Sequence, residues 1–159
     1  LHEPLIEQSP LRHADLYHTG IVVDDLTTAK EEFGALLGVT WLEGGGEVRL
    51  VTETGPMPVA ASYALSAEGP HHVELVQAVP GTLYTVGVAR QAHHLGYWTD
   101  DVEAASAALA RAGLPRECTM DVGEGSAPMC AYHRAGDGFY VELVSAAMKR
   151  VFFRTPRQP

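Results

Sequence analysis

The sequence predicts an α+β protein made of two tandem modules, each running strand, helix, then three strands. Three observations carry that expectation. The stretch Tyr17-His-Thr-Gly-Ile-Val-Val-Asp-Asp-Leu26 returns as His93-His-Leu-Gly-Tyr-Trp-Thr-Asp-Asp-Val102, at a constant offset of 76 positions. A Val-Glu-Leu-Val segment closes each half, at Val73–Val76 and Val141–Val144. After each first strand, apolar residues recur at helical spacing: Leu26, Ala29 and Phe33, then Val102, Ala105 and Leu109.

Taken in order, Tyr17 to Val23 is β-branched and aromatic, as a strand should be. Asp25 then stands where a helix N-cap is needed, and Gly38 where the helix must stop. Strand-like pieces follow at 47–53 and 59–65, punctuated by Gly and Pro, before the closing Val-Glu-Leu-Val segment. Residues 81–91 join the halves. In the second half Asp101 caps and Gly113 stops the helix, and strands are expected at 117–122 and 129–133. The offset between the closing segments is shorter than that between the opening ones, so the second half is the more compact between helix and last strand, where loops absorb length changes cheaply. The expected modules are 14–80 and 92–146, functioning as one domain, with a basic C-terminal helix and polar tail over 147–159.

Composition narrows the function. A chain of 159 residues, 46% hydrophobic and 19% charged, can bury a core of ordinary domain size. A net charge of −9 without a Lys/Arg-rich block offers nothing to nucleic acid phosphates or anionic membranes. No apolar run approaches the roughly 20 residues of a membrane-spanning helix, and Leu1 to Asp15 lack the apolar region of a signal peptide, so a cytoplasmic location is expected. Cys118 and Cys130 belong to no metal or redox motif and are expected as reduced, partly buried thiols.

Side chains alternate along strands, so His18, Gly20 and Val22 share one face while Tyr17, Ile21 and Val23 face the other, toward the helix. By the same parity His94, Gly96 and Trp98 lie together, as do His72, Glu74 and Val76, and Tyr140, Glu142 and Val144. A carboxylate in the middle of each apolar closing strand costs several kcal/mol if buried alone. The repeat supplies partners: His and Glu from one half set against His and Glu from the other surround a common point, and such a set binds a divalent cation. The plainer readings are ordinary histidines and salt bridges from Arg49 or Arg134. His72 shares the parity of Glu74 and is an alternative ligand or proton carrier. His71 and His93 face the other way and are expected to be structural. Trp98 and Tyr140, on the ligand face, are expected either to line a substrate pocket or to belong to the core. Gly20 and Gly96, two residues beyond each histidine, leave room for a substrate or for the opposing half.

These motifs, over roughly residues 14–145, resemble the vicinal-oxygen-chelate (VOC) superfamily, which includes glyoxalase I, methylmalonyl-CoA epimerase, extradiol dioxygenases and bleomycin-resistance proteins. The paired histidines before the second Asp-Asp and the final Val-Glu-Leu-Val strand are most similar to the epimerase branch. The resemblance implies a curved mixed sheet around a metal site, the glyoxalase-like fold, with His18, Glu74, His94 and Glu142 as metal ligands and a homodimer as the assembly. It implies one divalent ion, with Zn, Ni, Co, Mn and Fe all compatible. Two departures stand out: the epimerases place Gln where this chain has Glu74, as glyoxalase I does not, and the segment 54–59, where the epimerases' non-ligand base should lie, holds no acid, although Glu53 immediately precedes it.

The chemistry expected is proton transfer next to a metal-bound carbonyl of a small-molecule substrate, of isomerase or epimerase type. Glu142 or Glu74 would be the base and His72 an alternative carrier. A glyoxalase I-type lyase is the runner-up, and a metal-free binding protein of the bleomycin-resistance type or an extradiol dioxygenase are further alternatives. No Gly-rich phosphate cradle or Lys/Arg cluster marks a coenzyme A or nucleotide partner.

Overall fold

In the computed structural model, which describes residues 9–87 and 91–154, one chain folds into a closed eight-stranded barrel. Parts of the joining segment (88–90) and of the C-terminal tail (155–159) lie outside the described residues, as do 1–8. The first half supplies β1 (Leu16–Val23), α1 (Leu26–Leu37), β2 (Trp41–Thr52), β3 (Gly55–Ser66) and β4 (His72–Gln77). The second supplies β5 (His94–Thr99), α2 (Val102–Arg111), β6 (Arg116–Asp121), β7 (Cys130–Gly136) and β8 (Phe139–Ser145). A 3-10 turn over Ala146–Met148 leads into a single-turn helix, α3 (Lys149–Phe152), within the stretch where a short C-terminal helix is expected.

Around the barrel the strands run β1-β4-β3-β2-β6-β7-β8-β5, so the two halves have the same internal order and meet at two seams. At one, β1 and β5 pair antiparallel with His18 opposite Gly96 and Gly20 opposite His94. At the other, β2 and β6 pair through only Arg49–Asp121, Leu50–Met120 and Val51–Thr119. There the Arg49 guanidinium donates to both oxygens of Asp121, at 2.8 and 2.9 Å, clamping the ladder.

Both helices begin as the sequence expects: Asp25 accepts from the Thr28 amide and Asp101 from the Ala104 amide, each at 2.9 Å. Gly38 ends α1 with φ 67°, a left-handed conformation that side-chain-bearing residues adopt at a cost. Each helix covers the outside of its own half. Ala29 and Phe33 of α1 pack with Leu75, and Leu109 of α2 packs with Val141 and Leu143. The inward faces form a third apolar cluster that includes Val22, Leu50, Val76, Cys118, Cys130, Tyr132 and Val144. Both cysteines are free and buried.

Two local expectations fail for physical reasons. β2 and β3 are longer than the Gly and Pro punctuation suggested. A Cβ on Gly44 would fall 2.2 Å from the Tyr63 hydroxyl, so the glycines admit a close neighbour within the strand rather than ending it. Pro56 and Pro58 are tolerated because β4 pairs with β3 only over Tyr63–Leu65, leaving the proline end at an edge. Second, Tyr17 joins the interior cluster instead of the helix side, because a bulge between Leu16 and His18 breaks the alternation. Its ring stacks on Trp98 at 3.7 Å.

Candidate metal centre

The seam between β1 and β5 brings the two histidines together edge to face, their ring planes 83° apart. Each imidazole lies over the glycine of the opposite strand: a Cβ on Gly20 would come within 1.9 Å of the His94 ring, and one on Gly96 within 1.9 Å of the His18 ring. Parallel pairing then brings in the carboxylates, since Gly20 is opposite Glu74 on β4 and Gly96 is opposite Glu142 on β8. The result is a cluster of His18, Glu74, His94 and Glu142 whose ligand atoms all lie within 4.8 Å of one another.

His18 Nε2 lies 2.9 Å from His94 Nε2, 3.2 Å from Glu74 Oε2 and 3.0 Å from Glu142 Oε2. His94 Nε2 is 3.0 Å from Glu74 Oε2 and 3.3 Å from Glu142 Oε2. Donors about 2.1 Å from one ion and at right angles to each other would be about 3 Å apart, so these separations fit a shared cation. The Arg49 and Arg134 side chains take no part: they pair with Asp121 and Glu117.

Hydrogen bonding around the cluster fixes which nitrogens are free. The Leu83 carbonyl can only accept, so His93 Nε2 donates to it at 2.9 Å and His93 Nδ1 is left as an acceptor for the Nδ1–H of His94, also at 2.9 Å. Burial pushes the His93 imidazole down to about 4, which keeps it neutral in this role. His94 Nε2 therefore presents a lone pair to two carboxylates, an arrangement that repels unless a cation or a proton intervenes. Among the described residues, His18 Nδ1 and Glu142 Oε2 are buried without a hydrogen-bond partner. Without an ion, the cluster holds a proton on His18: burial opposes the charge, but Glu74 and Glu142 lift its imidazole to about 10, while Glu74, despite its burial, is held below the usual carboxylate range by the charged His18. Four converging groups, one with an aimed lone pair and one, Glu142, with an orphaned oxygen in the cluster, fit a divalent ion.

The histidines form the closed back of the site, with His18 1% and His94 0% exposed. Glu74 and Glu142 face forward into a cavity of about 540 Å³ inside the barrel. Its walls include Tyr63, Tyr84, Tyr132, Met120, Met129 and Cys130, together with Met148 and Phe152 from the C-terminal turns. Burial first, then the nearby glutamates and thiols, raises Tyr84 and Tyr132 well above the ordinary phenol range, so both remain neutral hydroxyl groups. Burial also raises the Cys130 thiol, which hydrogen-bonds Glu142.

The other sequence candidates lie elsewhere. His72 is turned away from the cluster: its Nδ1 meets the Ser66 carbonyl at 2.7 Å and its ring packs on Phe153. Trp98 lies against Tyr17 and under the Lys149 ammonium, and Tyr140 packs behind His93, so neither lines the cavity. Parity fixes which face a residue takes but not its depth along the barrel. His71 bonds Thr19 at 2.8 Å, away from the site. The part of His93 was missed because β5 begins at His94, and strand alternation does not extend to the residue before it. Tyr132 carried a usable signal: it alternates with Cys130 and pairs in register with Glu142.

The family model for the glyoxalase/bleomycin resistance protein/dioxygenase superfamily matches residues 17–130, the first half of the repeat and the second as far as the start of β7. The chain belongs to that superfamily. This is the vicinal-oxygen-chelate group that the repeat and the His/Glu pattern resemble. Among solved structures, the methylmalonyl-CoA epimerase of Mycobacterium tuberculosis is similar at a TM-score of 0.58 and 20% identity, over 91% of this chain and 98% of that one. A variant of the Streptomyces coelicolor methylmalonyl-CoA epimerase, in complex with 2-nitronate-propionyl-CoA, is similar at a TM-score of 0.57 and 20% identity, over 84% of this chain and 94% of that one. At that identity the likeness is one of fold. No curated protein matches the chain in sequence. Among the described residues no helix is long and apolar enough to cross a membrane.

Proposed function

We propose that this VOC-superfamily chain is a divalent-metal-dependent enzyme that moves a proton at a carbon next to a carbonyl, as an isomerase or epimerase does. The observation that carries the reading is the convergence of His18, Glu74, His94 and Glu142 at the base of an apolar cavity, with the two carboxylates facing that cavity. A divalent ion held there supplies a Lewis acid that lowers the pKa of the carbon acid beside a bound carbonyl. The chain's own groups do the rest. His93 and the Leu83 carbonyl hold the His94 ring in one tautomer. Glu142 or Glu74 takes the proton and returns it, and the apolar walls keep bulk water from competing. With His72 turned toward Ser66, the proton-carrier role falls to the glutamates alone.

Having Glu74 as well as Glu142 in the cluster favours a glyoxalase I-type lyase as the second reading, because the ligand set is then two histidines and two glutamates. Metal content per chain by mass spectrometry, on wild type beside His94→Ala and Glu142→Ala, tests the centre. Near-stoichiometric metal in the wild type, lost in both variants, is the expected result. A wild type that takes up none of Zn²⁺, Ni²⁺, Co²⁺, Mn²⁺ or Fe²⁺ would overturn it. Solvent-deuterium wash-in without net conversion then marks an epimerase, and turnover of methylglyoxal with a thiol marks the lyase.

A further inference from the structure

We infer that the cavity selects an uncharged, largely apolar carbonyl compound of small-molecule size, and rejects anionic substrates, acyl-coenzyme A thioesters among them. This rests on the metal-centred reading and deepens it. Among the described residues, the charged side chains lining the cavity are Glu47, Glu74 and Glu142, all acidic, with no Lys or Arg in the lining. Two of the three would be occupied by the ion, so the wall offers an incoming phosphate or carboxylate no other positive partner, and burying an anion without one is strongly unfavourable.

Among the described residues the cations stand outside that wall, Arg111, Arg150 and Arg154 included. Arg12, Lys30, Arg49, Arg116 and Arg134 pair with Asp15, Glu43, Asp121, Glu103 and Glu117. Lys149, although it follows the cavity-lining Met148, lies over the Trp98 ring at 5.2 Å, and neither Lys149 nor Trp98 lines the cavity. What the wall does offer is aromatic and thioether surface: Tyr63, Tyr132 and Phe152 with Met120, Met129 and Met148. Methionines adapt to the shape of an apolar body, and the tyrosine hydroxyls donate to neutral oxygens. The volume of about 540 Å³ falls within the usual range for small-molecule pockets, about 300–1,000 Å³.

The test is calorimetric titration of metal-free and Zn²⁺-loaded protein with three probes. They are acetylbenzoyl, an uncharged phenyl methyl vicinal diketone; benzoylformate, its near-isostere bearing a carboxylate; and methylmalonyl-CoA. Acetylbenzoyl is expected to bind at least about tenfold tighter than either anion, and Met129→Arg and Met148→Arg are each expected to shrink or reverse that ratio. Both positions are half-buried and tolerate a long side chain better than the core does. Equal or tighter binding of benzoylformate or methylmalonyl-CoA, or no binding of any probe, overturns the inference even if metal is bound. Preference for acetylbenzoyl in a protein that takes up no metal upholds the cavity's selectivity and overturns the metal-centred reading instead.

Discussion

The His94 imidazole occupies the volume that a Cβ on Gly20 would need, and two residues along the same ladder the relation holds, in reverse, between His18 and Gly96. Neither histidine can sit where it does unless the facing residue has no side chain. Closure of the two halves and assembly of the His/Glu cluster are therefore one event. Gly20→Ala or Gly96→Ala should push an imidazole out of the cluster, costing about 1–3 kcal/mol of stability and most of the metal affinity. Gly38→Ala is the control. It has open space around it and only a left-handed backbone to strain, so it should cost about 1 kcal/mol and leave metal content unchanged. Thermal unfolding and metal analysis of the three variants decide the matter; full metal content in Gly20→Ala would show that the histidines are not held as described.

His93 holds the His94 ring by an Nδ1–Nδ1 hydrogen bond and is itself tied to the Leu83 carbonyl. Its replacement by Leu should weaken metal binding about 10–100-fold while leaving the fold in place, the size of effect usual for partners of metal-bound histidines. Competition against a fluorescent chelator measures it, and an unchanged Kd would reduce His93 to a packing residue.

Metal affinity should rise with pH. In the metal-free protein His18 carries a proton up to about 10, and a bound ion must displace it, so the apparent affinity should increase about tenfold per pH unit across the neutral range. A pH-independent Kd between pH 6 and 8, roughly, would contradict a protonated cluster.

The stability of the metal-free protein follows with a definite sign. The His18 pKa is raised above its ordinary value of 6.5, so its stabilising contribution is complete below that value and is lost as pH rises through about 10. Glu74 is lowered, so its contribution is present above the usual carboxylate range and is lost on acidification. Urea unfolding of chelator-treated protein should thus give a lower midpoint at alkaline than at neutral pH, and loading with Zn²⁺ should flatten the alkaline decline. A midpoint that holds steady through pH 10, roughly, would be the contrary result.

The second seam should be the weaker. β2 and β6 share three register pairs and the Arg49–Asp121 clamp, against four register pairs at β1 and β5, where His18, Gly20, His94 and Gly96 are all buried. Asp121→Asn should raise amide exchange in β2 and β6 well before it disturbs β1 or β5, as read by hydrogen-exchange mass spectrometry. Uniform protection loss around the barrel would mean that the two seams open together.

Much of this molecule is written in its sequence because the physics there is local. The strand and helix order, the Asp25 and Asp101 caps, the stop at Gly38 and the shared face of His18 with Gly20 and of His94 with Gly96 all follow from period and capping chemistry. The duplication adds one nonlocal fact, that equivalent residues occupy equivalent places, and from it His18, Glu74, His94 and Glu142 were legible as a set. What alternation could not reach were irregularities and depth: the bulge that swings Tyr17 inward, the turning of His72 to Ser66, the removal of Trp98 and Tyr140 from the cavity wall. Those depend on how far along the barrel each residue sits, and on which neighbour fills the space beside it.

Only the tertiary structure decided that both seams close within one chain, that His93 orients His94 and that Tyr63, Tyr84, Tyr132 and the methionines line the cavity in front of Glu74 and Glu142. Residues far apart in sequence meet there through strand register and side-chain volume. Neither quantity is a property of any short stretch of chain, whereas caps, turns and alternation are.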